Sequence, residues 1–284
     1  MKITDIKRLQ EKAKEVRKGI IEAVYSNKSG HPGGSLSIAD IMTVLYFNQM
    51  NIDEKNPKWE DRDRLVLSKG HCSPALYSCL ANRGFFDVEK LKTFRNINSN
   101  LQGHPDMNKV PGVDMTTGSL GQGTSAAAGI ATGFKMNKTD QYVYLIVGDG
   151  ELNEGQCWEA FQYIAHYKLN HCVVIIDDNK KQLDGTTKEV MNPFSIENKM
   201  KAFGFYTQTV KGNDEEAIDE AINRAKNVKD QAVCIILDSI KGAGVPYFEQ
   251  LDANHSVKFN NDTIKKATKD AIKELDEFIK GGAR

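Results

Sequence analysis

The alternation of apolar and polar positions divides the chain into extended and helical stretches in a regular order. Three runs are short, apolar and rich in β-branched residues: YVYLIV (142–147), CVVIID (172–177) and AVCIIL (232–237). Their length and composition predict strands buried on both faces of a sheet. LVL within 64–68 predicts a shorter strand before them, and 205–210 another between the second and third runs. Residues 4–26 predict a charged amphipathic helix ending near SNKSG. Ser37 is placed to cap a second helix through Ile38, Ile41, Met42 and Leu45. Helical patterns follow at 73–83 and 87–96, whereas 101–118 has turn formers without a period and predicts a loop. Between the first two apolar runs, Trp158, Phe161, Ala165 and Leu169 share one helix face; 214–227 predicts a further helix. Strand, helix and strand at this spacing predict a right-handed parallel crossover. The fold class is therefore α/β, an open parallel β-sheet with helices on both faces.

The tail differs. Asp262 is placed to cap a final helix whose narrow apolar stripe is Ile264, Ala267, Ala271, Leu275 and Phe278. That stripe either packs on its own domain or faces a partner. The expected division is a main domain over 1–258 and a C-terminal helix and tail over 259–284.

Composition narrows the function classes. A length of 284 residues suits one large α/β domain or two modest ones. Lys and Arg number 38, as do Asp and Glu, and no long basic stripe stands out, so nucleic acid is not an expected partner. No stretch approaches the roughly 18 to 20 apolar residues of a membrane helix. The opening MKITDIKRLQEKAKEVRKG lacks the apolar core of a signal peptide, so a cytoplasmic location is expected. Cys72, Cys79, Cys157, Cys172 and Cys234 are odd in number and form no CxxC pair, which predicts buried reduced thiols rather than disulfides or zinc.

The candidate chemistry begins at Gly148-Asp149-Gly150, directly after a predicted strand and before a helix. In open parallel sheets, ligands bind beyond the carboxyl ends of strands. An aspartate there can hold a hard cation, and the following helix favours an anion; alone, the tripeptide is also an ordinary strand-to-helix turn. Asn179 follows the next strand, and a βαβ unit brings both loops to one sheet edge. A carboxylate, an amide oxygen and a main-chain carbonyl are hard ligands, suited to magnesium or calcium and not to zinc. One decoy lies nearby: Gly121 to Ala126 fits G-x-G-x-x-A, but VDMTTG before it is no buried strand and no acidic residue follows at the right place.

GDG followed by Asn at this distance resembles the thiamine-diphosphate signature. SGHPGGSLS (29–37), LSKGHCSPALY (67–77), QGHPD (102–106), TTGSLGQG (116–123), GDGELNEGQCWEA (148–160) and DDNKKQLDG (177–185) resemble, in order, the N-terminal part of transketolase. The resemblance runs from about residue 5 to about residue 255. It implies the thiamine-diphosphate-binding fold, with residues 1–258 as the diphosphate-binding domain. It implies thiamine diphosphate and Mg²⁺ as cofactors, with Ca²⁺ or Mn²⁺ as possible substitutes. Asp149, Asn179 and the carbonyl of Lys181 match the family's metal ligands. Gly118 and Leu120 match a loop against the diphosphate and thiazolium, and Gly150 and Glu151 match positions beside the diphosphate. Glu154 and Glu159 match acidic residues that link two cofactor sites; for Glu154 the alternative is an ordinary first-turn carboxylate. His31, His71 and His104, each after a glycine, match active-site histidines, His71 also beside the cofactor. His255 matches a fourth, although Asn254 and Ser256 flank it where the family often has an aromatic residue and a glycine. His166 and His171 match nothing and are expected to be structural.

The implied activity is transfer of a two-carbon ketol unit from a ketose or its phosphate to an aldose. Imidazoles exchange protons near neutral pH and hydrogen-bond hydroxyls, as that chemistry requires. In this family a glutamate on a separate, more C-terminal domain protonates the cofactor's pyrimidine ring. The chain ends before such a domain, so the resemblance implies the N-terminal subunit of a split transketolase. It would be inactive without a second subunit bearing the pyrimidine-binding and C-terminal domains, in a heterotetramer with two copies of each. Rival expectations are a 1-deoxyxylulose-5-phosphate-synthase-like carboligase, a transketolase for an unusual sugar, a 2-oxoacid dehydrogenase α subunit, which the GHPGG and QGHP histidines disfavour, and a non-catalytic interaction protein retaining the fold.

Overall fold

A computed structural model describes residues 2–183 and 185–282. Helix α1 (Ile6–Ser26) is capped by the Asp5 carboxylate, which accepts the Arg8 N–H. Leu9, Ala13, Val16, Ile20 and Val24 recur at helical spacing on its buried face. The two-residue strand β1 (Ser29–Gly30) leads into the short helices α2 (Pro32–Ser37) and α3 (Ala39–Val44). Strand β2 (Arg64–Leu67) and helix α4 (Ser73–Arg83) precede a long irregular stretch and helix α5 (Gln122–Asn137). Then come β3 (Val143–Gly148), α6 (Gly155–His166) and β4 (Cys172–Asp178). A small hairpin of β5 (Lys181–Gln182) and β6 (Gly185–Thr186) is followed by α7 (Thr187–Val190) and α8 (Ile196–Ala202). Strand β7 (Phe205–Lys211), helix α9 (Glu215–Asn227) and strand β8 (Ala232–Asp238) continue the alternation. Helix α10 (Pro246–Gln250), strand β9 (Val257–Lys258) and helix α11 (Asp262–Gly282) complete the described chain.

Five strands form one parallel sheet in the order β2-β3-β4-β8-β7. Alternate residues sort to its two faces. Tyr144, Ile146, Val173, Ile175, Val233 and Ile235 join the core beneath α1, α3, α4 and α9, and Leu145, Val147, Val174, Ile176 and Ile236 join that beneath α5, α6 and α8. This is the α/β architecture expected from the apolar runs. The register sets Gly148 opposite Asp177 and Asp178 opposite Asp238, so the carboxyl ends of β3, β4 and β8 lie along one edge. Separately, β1 pairs antiparallel with β9, which sets the residues just after one and just before the other side by side.

Four local expectations are corrected. Ser37 does not cap α3; it ends α2, is buried, and donates to the Asp177 carboxylate at 2.6 Å. The 87–96 stretch makes only a 3₁₀ turn over Val88–Thr93, started by the Asp87 side chain, because Arg95 and Asn98 take left-handed backbone. The buried face of α6 is Cys157, Ala160, Phe161 and Ile164. Trp158 is half-buried with its indole N–H on the Leu152 carbonyl, Ala165 is half-buried, and Leu169 lies past the helix end. The cap of α11 is the Asn261 side chain, which accepts the Ile264 N–H; Asp262 is exposed. Along α11, Ile264, Ala271 and Leu275 are buried and Phe278 is exposed; the helix packs on α1, with Lys18 paired to Asp276 at 2.6 Å.

All five cysteines are buried and unpaired. Among the described residues, no helix is long and apolar enough to cross a membrane.

Candidate active site

The loops after β3 and β4 meet at the sheet edge. Asp149 follows β3, is 3% exposed, and accepts only main-chain N–H groups: Gly150 at 2.8 Å and Lys180 at 2.7 Å. Burial, and then the neighbouring Asp177 charge, push its carboxyl up to about 7. Asn179, also buried, turns its amide nitrogen to Asp177 at 2.7 Å, while its amide oxygen accepts the Lys181 N–H at 3.2 Å. The Lys181 carbonyl accepts from the Lys241 ammonium at 3.0 Å. Lys241 comes from the loop after β8, is 4% exposed, and is pushed down to about 8 by burial.

The residues at this edge fit a metal-bound diphosphate. Among the described residues no three His, Cys, Asp or Glu side chains gather as a metal site. The donor set here is instead one carboxylate, one amide oxygen and one carbonyl, the all-oxygen chemistry of Mg²⁺ or Ca²⁺. Gln182, packed against Gly150, leaves its side-chain nitrogen buried with no acceptor. A buried donor in that state calls for an acceptor from outside the chain.

The second half of the site is a histidine cluster. His31 follows β1 and His255 precedes β9, so the β1–β9 pairing draws them together; His71 sits on the 3₁₀ turn after β2. Ring centroids lie 5.2 Å apart for His31 and His71, 5.3 Å for His31 and His255, and 4.9 Å for His71 and His255. Close approach requires glycine at position 33: a Cβ there would stand 2.4 Å from the Asn254 carbonyl oxygen. Burial, then Arg95, pushes His31 down to about 4; burial, then Lys241, pushes His255 down to about 3; burial, then Lys69, holds His71 well below its ordinary value. All three are therefore neutral at pH 7. Arginine only donates, so the Arg95 contact with His31 Nδ1 at 3.4 Å leaves the proton on Nε2. The Lys241 ammonium faces His255 Nδ1 at 3.3 Å and sets the same tautomer there. His104 lies against Gly118 and beside Arg95. Lys241 thus joins both halves, through the Lys181 carbonyl and His255.

Not every expected residue faces this space. Glu151 is 3% exposed and points inward: one oxygen takes the Ser68 hydroxyl and the Gly121 N–H, the other the Gly148 N–H. It ties three loops together. Glu154 is an exposed residue at the start of α6, its side chain packed against Gly121, and Glu159 is exposed along that helix. Leu120 is half-buried just before α5. His171 stacks on Tyr142 with centroids 4.4 Å apart, and His166 stands beside Tyr167, both away from the cluster. Sequence reasoning missed Lys69, Arg95, Asp177 and Lys241. The rule that points to the ends of β3 and β4, that ligands gather past strand ends, reaches Lys241 when applied to β8.

The site's relatives are known. A family model described as transketolase, thiamine diphosphate binding domain, matches residues 9–276. The 6-deoxy-6-sulfo-D-fructose transketolase subunit SqwG of Clostridium sp. (strain MSTE9) is 43% identical over 267 residues, covering 94% of this chain and 97% of that subunit. An apulose-4-phosphate transketolase subunit of Phocaeicola vulgatus is 36% identical over 275 residues, covering 97% of this chain and 98% of that subunit. The crystal structure of transketolase from Campylobacter jejuni superposes with a TM-score of 0.86 at 34% identity, over 94% of this chain and 43% of that one.

Proposed function

The chain belongs to the transketolase family, and on that premise we propose that it is the diphosphate-binding subunit of a two-chain transketolase. It transfers a two-carbon ketol unit from a ketose to an aldose. The observation that carries this reading is the meeting of the Asp149, Asn179 and Lys181 oxygens with three neutral histidines at one sheet edge, joined by Lys241. Asp149, Asn179 and the Lys181 carbonyl would hold Mg²⁺; the Lys241 ammonium and the Gln182 side-chain nitrogen would hold diphosphate oxygens. Thiamine diphosphate, when bound, supplies the carbanion stabilisation that breaking and making a ketose carbon–carbon bond requires.

The protein's own part is binding, orientation and proton transfer. His31 and His255 each present an N–H on Nε2, set by Arg95 and Lys241, and can donate a hydrogen bond from it to a sugar oxygen. His71 lies beside both, at the reacting carbonyl and hydroxyls, and His104 is assigned to the donor's first hydroxyls. Residues 1–258 act as the diphosphate-binding domain.

Two relatives named as subunits match this chain over nearly their full lengths, whereas it spans about two fifths of the single-chain transketolases it resembles. That supports a second polypeptide with the pyrimidine-binding and C-terminal domains, two copies of each making the complex. The same relatives are named for a sulfonated and a phosphorylated sugar, which supports a donor or acceptor with a terminal anionic group. Five unpaired buried thiols suit the reducing cytoplasm.

Native mass spectrometry of the tagged chain taken from its own cells, with Mg²⁺ and thiamine diphosphate, tests the assembly. A complex with a second polypeptide and cofactor is expected. Turnover of a ketose donor by the rigorously purified single chain would refute it.

A further inference from the structure

The segment after β8, Ser239–Gly244, carries Lys241 into the site, yet its main chain is tied to groups on two sides. On the site side the Asn254 amide donates to the Lys241 carbonyl, and the Gly242 N–H donates to the Gly33 carbonyl, both at 3.0 Å. On the far side the Ile240 N–H donates to Asn213 Oδ1 at 3.0 Å, and the Ala243 carbonyl accepts from Arg17 Nε at 3.0 Å. Asn213 and Arg17 both hang on one carboxylate. Asp40 Oδ2 accepts from Arg17 Nη2 at 2.6 Å and from Asn213 Nδ2 at 3.0 Å.

Asp40 and Arg17 are 1% and 7% exposed. A buried ion pair is a costly way to hold a fold, since apolar side chains of the same volume often serve as well. Here Arg17 and the bridging Asn213 each carry a second bond to the same segment. At Gly244, with φ of +77°, a Cβ would stand 2.3 Å from Arg17 Nε, so the chain passes the guanidinium at a distance only glycine permits.

We propose that Asp40, through Arg17 and Asn213, is the positioning residue that holds the Lys241 ammonium where the cofactor's diphosphate binds, although none of the three reaches the site. The inference rests on the reading of Lys241 given above. The charged groups that face the cluster are Lys14 of α1, Glu215 of α9 and Glu249 of α10. Burial works against the Asp40 charge, but the Arg17 guanidinium outweighs it and holds the carboxyl below its ordinary range. Burial, and then the Asp40 charge, push Glu215 up to about 7. Of the two carboxyls Asp40 is the one held ionised, and it keeps the acceptor role the tether needs.

Two variants of the full chain test this: Asp40→Asn, and the milder Asn213→Ala, which carries the test if the first fails to fold. Hydrogen exchange should quicken only in peptides spanning 239–250, leaving the sheet and α5 as they were. In the complex with its second subunit, calorimetry with thiamine diphosphate and Mg²⁺ should show affinity lowered about 10- to 100-fold, with kcat at saturating cofactor largely kept. Unchanged exchange in that segment, or unchanged affinity, overturns the proposal. So does exchange quickened throughout the chain, the mark of plain destabilisation. Lys241→Met separates the two readings. If it leaves cofactor affinity intact, the site assignment itself fails; if it weakens binding and Asn213→Ala does not, only the positioning role fails.

Discussion

Strands β3 and β4 lie side by side and end at two buried aspartates with opposite surroundings. Asp177 is saturated. One oxygen takes the Lys69 ammonium at 2.6 Å, the Ser37 hydroxyl at 2.6 Å and the Asn179 amide at 2.7 Å, and the other takes the Ser239 hydroxyl. Burial works against its charge, yet Lys69 outweighs that and holds the carboxyl below its ordinary range. Asp149, its neighbour across the sheet edge, has two main-chain N–H groups and no cation of its own, and is pushed up to about 7. A carboxylate balanced inside the fold belongs to the framework. One left with amide donors alone marks the place for a cation that arrives from outside.

The largest test of this contrast removes the internal cation. Lys69→Met leaves Asp177 buried and unpaired, and should cost about 3–5 kcal/mol in urea unfolding. A loss below about 1 kcal/mol would put Asp177 on the same footing as Asp149 and break the comparison. Next, Asp149→Asn should stabilise the metal-free chain at pH 8 by about 4 kcal/mol, while abolishing metal-dependent cofactor binding in the complex. The sign follows from the shift. Folding raises the Asp149 carboxyl from 3.8 to about 7, so its contribution is full below the lower value and is lost as pH rises to the upper one. Asp177 runs the other way: its contribution is present above 3.8 and is lost as the pH falls through its depressed folded value. Unfolding free energies of the metal-free parent and Asp149→Asn chains should therefore draw apart between pH 4 and 8, the variant gaining on the parent as pH rises, while the depressed histidines add the same opposite slope to both. Equal slopes in both would remove Asp149 as the unbalanced group.

The same contrast marks what the sequence makes legible. The strands are readable because burial on both faces forces unbroken apolar runs, and Asp149 and Asn179 because each falls just past such a run. The histidines stand out through the glycines that let their loops approach. Asp177 reads as the tail of an apolar run, because nothing local shows that Lys69, 108 residues away, will neutralise it. Its other donors, Ser37 and Ser239, come from the segments after β1 and β8, and only the sheet order brings them together. Lys241 does stand past an apolar run, that of β8, and what the sequence leaves out is that β8 lies beside β4 in the sheet. For α6 the helical period holds and the buried side differs in part: Phe161 faces the sheet with Cys157, Ala160 and Ile164, while the Trp158 ring stays half-exposed because its N–H reaches the Leu152 carbonyl. Periodicity fixes how often a face recurs; tertiary partners decide which face is covered.

Ser37 gives the smallest effect and the finest discrimination. As a helix cap its hydroxyl would accept a main-chain N–H, and Ser37→Ala would cost about 1 kcal/mol. As a donor to Asp177 it contributes one charge-assisted bond among four donors, and its loss should cost about 1.5 kcal/mol. The single substitution barely separates these values. A double-mutant cycle with Asp177→Asn does, because the two roles differ in what the hydroxyl is coupled to. If the carboxylate is its partner, much of the Ser37→Ala loss disappears once the negative charge is gone, a coupling of about 1 kcal/mol. If it served the helix backbone, the two substitutions would add to within about 0.3–0.5 kcal/mol. Additivity would mean that Asp177 is held by Lys69 with less support than the four donors imply, and the contrast between the two strand ends would narrow to one ion pair.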